Sequence, residues 1–193
     1  MRPKRLYKLE KVLKIITMEK RGQVWIETVL YTLIGLALIG LALGFIMPKI
    51  NQARDSALVD QAVNSMNAFD EKINEVIERG PGNVRETEFS IKKGELYINS
   101  SADEIVLVID GLSKPVSQPG VDIQRGRITQ TSVVEQKANS VYLRMNYTAN
   151  ITYANGDETR KFTAASLPYD FFIENKGYSN NAVVVNIEEI SNR

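Results

Sequence analysis

The stretch KRGQVWIETVLYTLIGLALIGLALGFIMPKI, residues 20–50, decides how the whole chain is read. It opens with two cations and a glycine, Lys20-Arg21-Gly22, and then runs to Met47 with Glu27 as its only charge. Residues 29–47 are 19 uncharged, mostly apolar residues, close to the ~20 that cross a hydrocarbon core of ~30 Å as a helix. A secretory signal would have an apolar core of roughly 7–15 residues and a small-residue cleavage site behind it. Here the run is longer and leads into Pro48-Lys49-Ile50. The pattern therefore predicts a membrane span rather than a removable apolar signal.

Toward the N-terminus, residues 1–22 hold eight Lys and Arg against two acids, whereas the rest of the 193-residue chain carries 16 basic and 21 acidic residues. The net charge of +1 conceals two opposite segments. A basic flank beside an apolar run places that flank in the cytoplasm, where it meets anionic headgroups. Cysteine and histidine are both absent, which removes disulfides, thiolate zinc sites, thiol nucleophiles and every imidazole base. No glycine-rich loop has nucleotide-binding spacing, so the expectation is no enzyme, no cofactor and no metal. Asp157-Glu158 beside Asn155-Gly156, and Asp110-Gly111, are read as turn chemistry rather than cation sites. With the part beyond the leader net acidic, nucleic acid is not an expected partner either.

Glu27 is costly in an apolar segment, about 2.5–3.5 kcal/mol at mid-bilayer and less near the interface, so it calls for a partner. The arrangement Lys20, Arg21, Gly22, Gln23 and Glu27 ahead of an apolar run resembles the processing site of archaeal type IV pilin-like proteins with a class III signal peptide. It departs from that pattern at Trp25, where serine is usual, and at Tyr31, where leucine is usual. The resemblance covers residues 20–50. It implies that a prepilin peptidase cuts after Gly22, leaving Gln23 as the new N-terminus with an acid at its fifth position. It further implies a pilus assembly ATPase and platform protein as partners, a homo-oligomeric filament or one shared with other pilins, and lipid around the helix before assembly. Met18 offers a second start, with the leader Met-Glu-Lys-Arg-Gly.

Beyond the span, Ile50, Ala53, Ala57, Leu58, Ala62, Met66, Phe69, Ile73, Val76 and Ile77 recur at spacings of mostly three or four, the signature of an amphipathic helix. Arg79 followed by Gly80-Pro81-Gly82 ends it with a basic last turn, a glycine cap and a proline. A helix from residue 23 to 79 would be about 85 Å long at ~1.5 Å per residue. Pro48 removes one donor and crowds the carbonyl of Gly44, predicting a kink, and the resemblance implies that residues 44–48 lose helicity on assembly. Gly40 and Gly44 form a small-xxx-small pair that admits a second helix closely.

Residues 88–91, 96–99, 105–109, 141–153, 159–164, 171–174 and 183–187 read as strands bounded by turn residues, with Asn155-Gly156 as a hairpin signal. The expected fold is α+β: a basic cytoplasmic leader (1–22), a long helix (23–79) and a β-rich extracellular head (80–193), either an antiparallel sandwich or a curled sheet. Three sequons, at Asn99, Asn146 and Asn150, mark candidate N-glycosylation sites. Strand parity places Asn146 and Asn150 outward together if 141–153 is one strand. The functional expectation is a structural subunit of a type IV pilus-like surface filament. The alternative is a single-pass anchored binding module, an adhesin or receptor, that is neither cleaved nor polymerised.

Overall fold

The computed structural model describes residues 4–135 and 138–190, with side chains from Gln23 onward. One helix, α1 (Lys4–Arg79), is followed by ten strands: β1 (Val84–Phe89), β2 (Glu95–Asn99), β3 (Glu104–Leu112), β4 (Asp122–Arg125), β5 (Ile128–Val134), β6 (Asn139–Asn146), β7 (Asn150–Tyr153), β8 (Arg160–Thr163), β9 (Tyr169–Ser179) and β10 (Ala182–Glu189). The fold is α+β. The chain divides into two compact units, Met1–Lys49 and Ile50–Arg193.

The described residues of the first unit are helix alone. Its backbone is already helical from Lys4, so the Gly22–Gln23 peptide lies within α1 instead of ahead of it. The leader side chains, those of Lys20 and Arg21 included, lie outside the described residues. Pro48 is accommodated inside α1.

The second unit is built around one apolar core. α1 contributes Val59, Ala62, Val63, Met66, Phe69, Ile73 and Val76 to it, a stripe at helical spacing. Ala62, Met66, Phe69, Ile73 and Val76 lie inside as the period predicts; Val59 and Val63 join them, while Ile50, Ala53 and Ala57 are exposed. Phe69 meets Phe89 and Phe171 edge to face, with ring centroids 5.4 and 5.6 Å apart, a geometry aromatic quadrupoles favour. The helix stops at Arg79, where Gly80 takes a positive φ of 85°, and the Asn83 amide caps the carbonyls of Arg79 and Gly80. Glu75 then ties this end to β1, lying 3.0 Å from Arg85 as well as near Lys72 and Arg79. Arg85, followed by Lys72, holds its carboxyl below the usual range.

Two sheets complete the unit. One runs β1-β9-β10-β7 and the other β4-β5-β6-β3-β2-β8. Pairing is antiparallel except between β10 and β7, which are parallel. Residues 141–153 do not form one strand. Val141, Leu143, Met145, Tyr147, Ala149 and Ile151 are all buried, so the alternation holds as far as Ile151, yet the chain changes sheet between β6 and β7. Asp103, at a positive φ of 52°, holds the corner through its carbonyl to Tyr147 N and its carboxylate to Ile151 N.

The Asn155-Gly156 signal marks a turn but no hairpin ladder. Ala154 and Asn155 take the positive φ values, and pairing ends at the single Tyr153–Gly156 bridge. From there β7 and β8 go to different sheets. Two-residue hairpin turns that do carry ladders are Asn180-Asn181, both at positive φ, between β9 and β10, and Gly126-Arg127, with Gly126 at positive φ, between β4 and β5, as twist-matched turns of this kind require.

β4 and β5 were not expected from the pattern, because the inward positions of β5 include Gln130 and Ser132, both buried. Ser132 is satisfied by the Ser117 hydroxyl (2.6 Å) and amide. The turn between β4 and β5 sends Arg127 back to the helix, where it donates to Asn74 Oδ1 (3.0 Å), lies 3.6 Å from Asp70 Oδ2 and covers the Tyr147 ring. Burial, with the neighbouring Asp70 charge, raises the Tyr147 phenol, which stays neutral. Arg127→Ala would leave the Asp70 carboxylate, already with one buried oxygen unpaired, without its cation. Removing one partner of a buried pair costs up to 3–5 kcal/mol, and the half-exposed arginine lowers this to about 2 kcal/mol. Urea denaturation of the two proteins, with an unchanged m-value, is the measurement that checks it.

Candidate functional site

The first unit presents apolar side chains on every side of α1. Val24, Trp25, Ile26 and the Leu, Ile and Phe residues through Met47 are exposed, Trp25 to 70% and Phe45 to 80%. A core helix would be buried on at least one stripe. Its apolar window has a mean hydropathy of 2.4, long and apolar enough to cross a membrane. Three polar side chains in the run find partners locally. The Thr28 and Thr32 hydroxyls each donate to the carbonyl four residues back at 2.8 Å, and the Gln23 side-chain amide donates to Glu27 Oε1 at 3.0 Å. Internal satisfaction of this kind is what a lipid-facing helix requires.

Gln23 and Glu27 thus share one helical face, one turn apart. Gly40 and Gly44 share another, and nothing lies within 4 Å of where a Cβ would stand on either. The backbone there is open to close approach by another helix. Pro48 lies one turn beyond Gly44.

The sequons fall in three different settings. Asn146 and Thr148 are both exposed at the end of β6. Asn99 is engaged, donating to Glu104 Oε1 and accepting from Ser101 and Thr159. Asn150, expected to share the outward face of Asn146, instead opens β7 in the other sheet, opposite Val184. Its sequon threonine, Thr152, is buried against Asn186. The change of sheet after Asn146 is what separates them.

The outward face of the six-stranded sheet forms an open groove of about 670 Å³. Cross-strand rows build it: Glu95–Val108–Tyr142, Tyr97–Val106–Arg144 and Asn99–Glu104–Asn146. Glu95 pairs with Lys161 at 2.7 Å, and Glu104 Oε2 lies 3.2 Å from Arg144 Nε. Lys161 first, then the Tyr97 hydroxyl, lowers the Glu95 carboxyl below its ordinary range, and the same carboxylate raises Tyr97 and Lys161. In sequence these residues are only the polar halves of alternating strands, and the register alone brings them together. A serine and lysine at i, i+3, Ser90 and Lys93, lie between β1 and β2, and the Lys93 ammonium is held by the Gly111 carbonyl at 2.7 Å.

The site regions therefore define a chain with one candidate membrane-spanning helix among the described residues and a β-rich unit carrying an open polar groove. No family profile matches the chain, and neither the curated proteins nor the solved structures offer a match.

Proposed function

We propose that the chain is a structural subunit of a type IV pilus-like surface filament of the archaeal kind, inserted as a precursor with its basic N-terminus in the cytoplasm. A prepilin peptidase removes the leader after Gly22. The apolar helices then bundle through an assembly ATPase and platform protein, with homologous or identical subunits, and the heads face the outside, carrying glycan at Asn146 and serving adhesion. The head is read as an antiparallel sandwich packed on the helix, a reading supported by Phe162 of one sheet meeting Phe171 of the other at 5.1 Å.

The observation that carries the proposal is the uncovered apolar exterior from Val24 to Met47, headed by the Gln23–Glu27 pair and preceded by a cationic leader. In water such a surface would be prohibitive at about 25 cal/mol per Å², so lipid or sister helices must cover it. The peptide bond to be cut lies inside α1. A peptidase needs it extended, and Gly22 is where the helix opens most easily, glycine costing about 1 kcal/mol relative to alanine.

The expected mature chain begins at Gln23. Mass spectrometry of material sheared from cells checks this. Head peptides still joined to residues 2–22 in that material would support the uncleaved, anchored binding module instead.

A further inference from the structure

The outward groove of the six-stranded sheet has chemistry that neither anchoring nor assembly uses. Tyr97 on β2 and Tyr142 on β6 stand two strands apart, roughly 10 Å at ordinary strand spacing, on either side of a floor made by Val106 and Val108. The central carboxylates are already neutralised, Glu95 by Lys161 and Glu104 by Arg144. Their mutual contacts, with Asn99 donating to Glu104 at 3.0 Å, hold planar donors and acceptors in fixed positions. Arg144 lines the groove, and its Nε, although 3.2 Å from Glu104 Oε2, is buried without a hydrogen bond of good geometry. A buried donor ordinarily has a partner. The Ser140 and Tyr142 side chains line the same groove.

The volume of about 670 Å³ lies within the roughly 300–1,000 Å³ of small-ligand sites. A protein partner would need a patch of about 800 Å², more than this groove offers. A cationic ligand would look for unpaired carboxylates, and those at the centre are paired. Unpaired acids among the described residues, Asp110 and Glu135, lie at one end. What complements the centre is a neutral, hydroxyl-rich molecule with apolar ring faces, whose hydroxyls meet the fixed planar groups while its rings lie on tyrosine.

We propose that this groove is an oligosaccharide-binding site, with Tyr97 and Tyr142 as ring platforms and Ser140, Asn99, Glu104 and Arg144 as hydroxyl partners. The assignment goes beyond the filament reading and does not depend on polymerisation.

The test uses the full chain in a sugar-free amine-oxide detergent, titrated calorimetrically with maltotriose, mannotriose, N-acetylglucosamine trimer and, separately, trilysine. Saturable binding of at least one trisaccharide is expected, weakened tenfold or more by Tyr142→Ala and at least threefold by Ser140→Ala, with the melting curve of the serine variant unchanged. Should Tyr142→Ala fail to fold, the serine variant decides alone. Binding of none of the three sugars, binding of trilysine only, or sugar binding that a folded Ser140→Ala leaves unaltered would each overturn the assignment. Failure here leaves the mature N-terminus at Gln23 untouched, so the two readings fail separately.

Discussion

A chain beginning at Ile50 is expected to fold into a soluble, cooperatively melting protein, whereas a chain beginning at residue 80 is expected not to fold at all. The two differ only by the second half of α1. That half buries Val59, Val63, Met66, Phe69, Ile73 and Val76 almost completely, and large apolar side chains contribute about 1.5–3 kcal/mol each when buried. Their joint contribution is on the order of 10 kcal/mol, as large as the whole stability of an ordinary domain. The helix also closes polar contacts that the sheets cannot supply: the Asn175 side chain donates to the Val76 carbonyl at 3.1 Å, and Arg125 pairs with Asp60 at 2.9 Å. Circular dichroism melts and gel filtration of the two truncated proteins check the expectation. A sharp transition from the shorter chain would show that the sheets hold a core without the helix.

Glu27→Val is expected to leave insertion and leader removal intact while reducing pelletable filament at least tenfold. The carboxylate sits one turn into the proposed mature helix, about 6 Å along it from Gln23, and its position near the positive helix end contributes less than about 1 kcal/mol. Surrounded by packed apolar helices it would lose several kcal/mol of hydration, so a cationic partner is required. In the precursor the Gln23 side chain supplies only a neutral donor, at 3.0 Å. Cleavage after Gly22 would create the cation, the free amine of Gln23 on a neighbouring subunit. Insertion should improve slightly, since a charge leaves the apolar run. Weighing filaments sheared from both strains and pelleted tests this. Undiminished yield from the valine variant would deny the carboxylate an assembly role, and cyclisation of Gln23, which removes the amine, is then the point to examine.

How much of this was legible depended on whether a residue's role is local. The apolar run from Val24 to Met47, the helix stop at Arg79-Gly80-Pro81 and most strand positions follow from composition and period, because each is set by a residue's own preference for lipid, turn or pleat. The burial of Val59 and Val63 and the exposure of Ala53 and Ala57 did not follow, since apolar residues on both sides of the stripe satisfy the same period and only the packed sheets choose between them. β5 was hidden because Gln130 and Ser132 occupy inward positions, a pattern that becomes tolerable only when Ser117 and Arg125 arrive from elsewhere to satisfy them.

The sequence by itself determined that an apolar run long enough to span a membrane is present, that a basic flank and Glu27 bracket Gln23, and that a β-rich region follows; these rest on transfer free energies and turn chemistry acting residue by residue. Only the tertiary structure decided that residues 141–153 divide between two sheets, that Asn150 parts company with Asn146, and that Tyr97, Glu104, Ser140 and Tyr142 face one groove. The physical reason is strand pairing. A strand's alternation fixes which side chains are inward, but the partner and register are chosen by contacts far along the chain, as when Asp103 bonds Ile151 and lets an alternation that holds as far as Ile151 turn a corner.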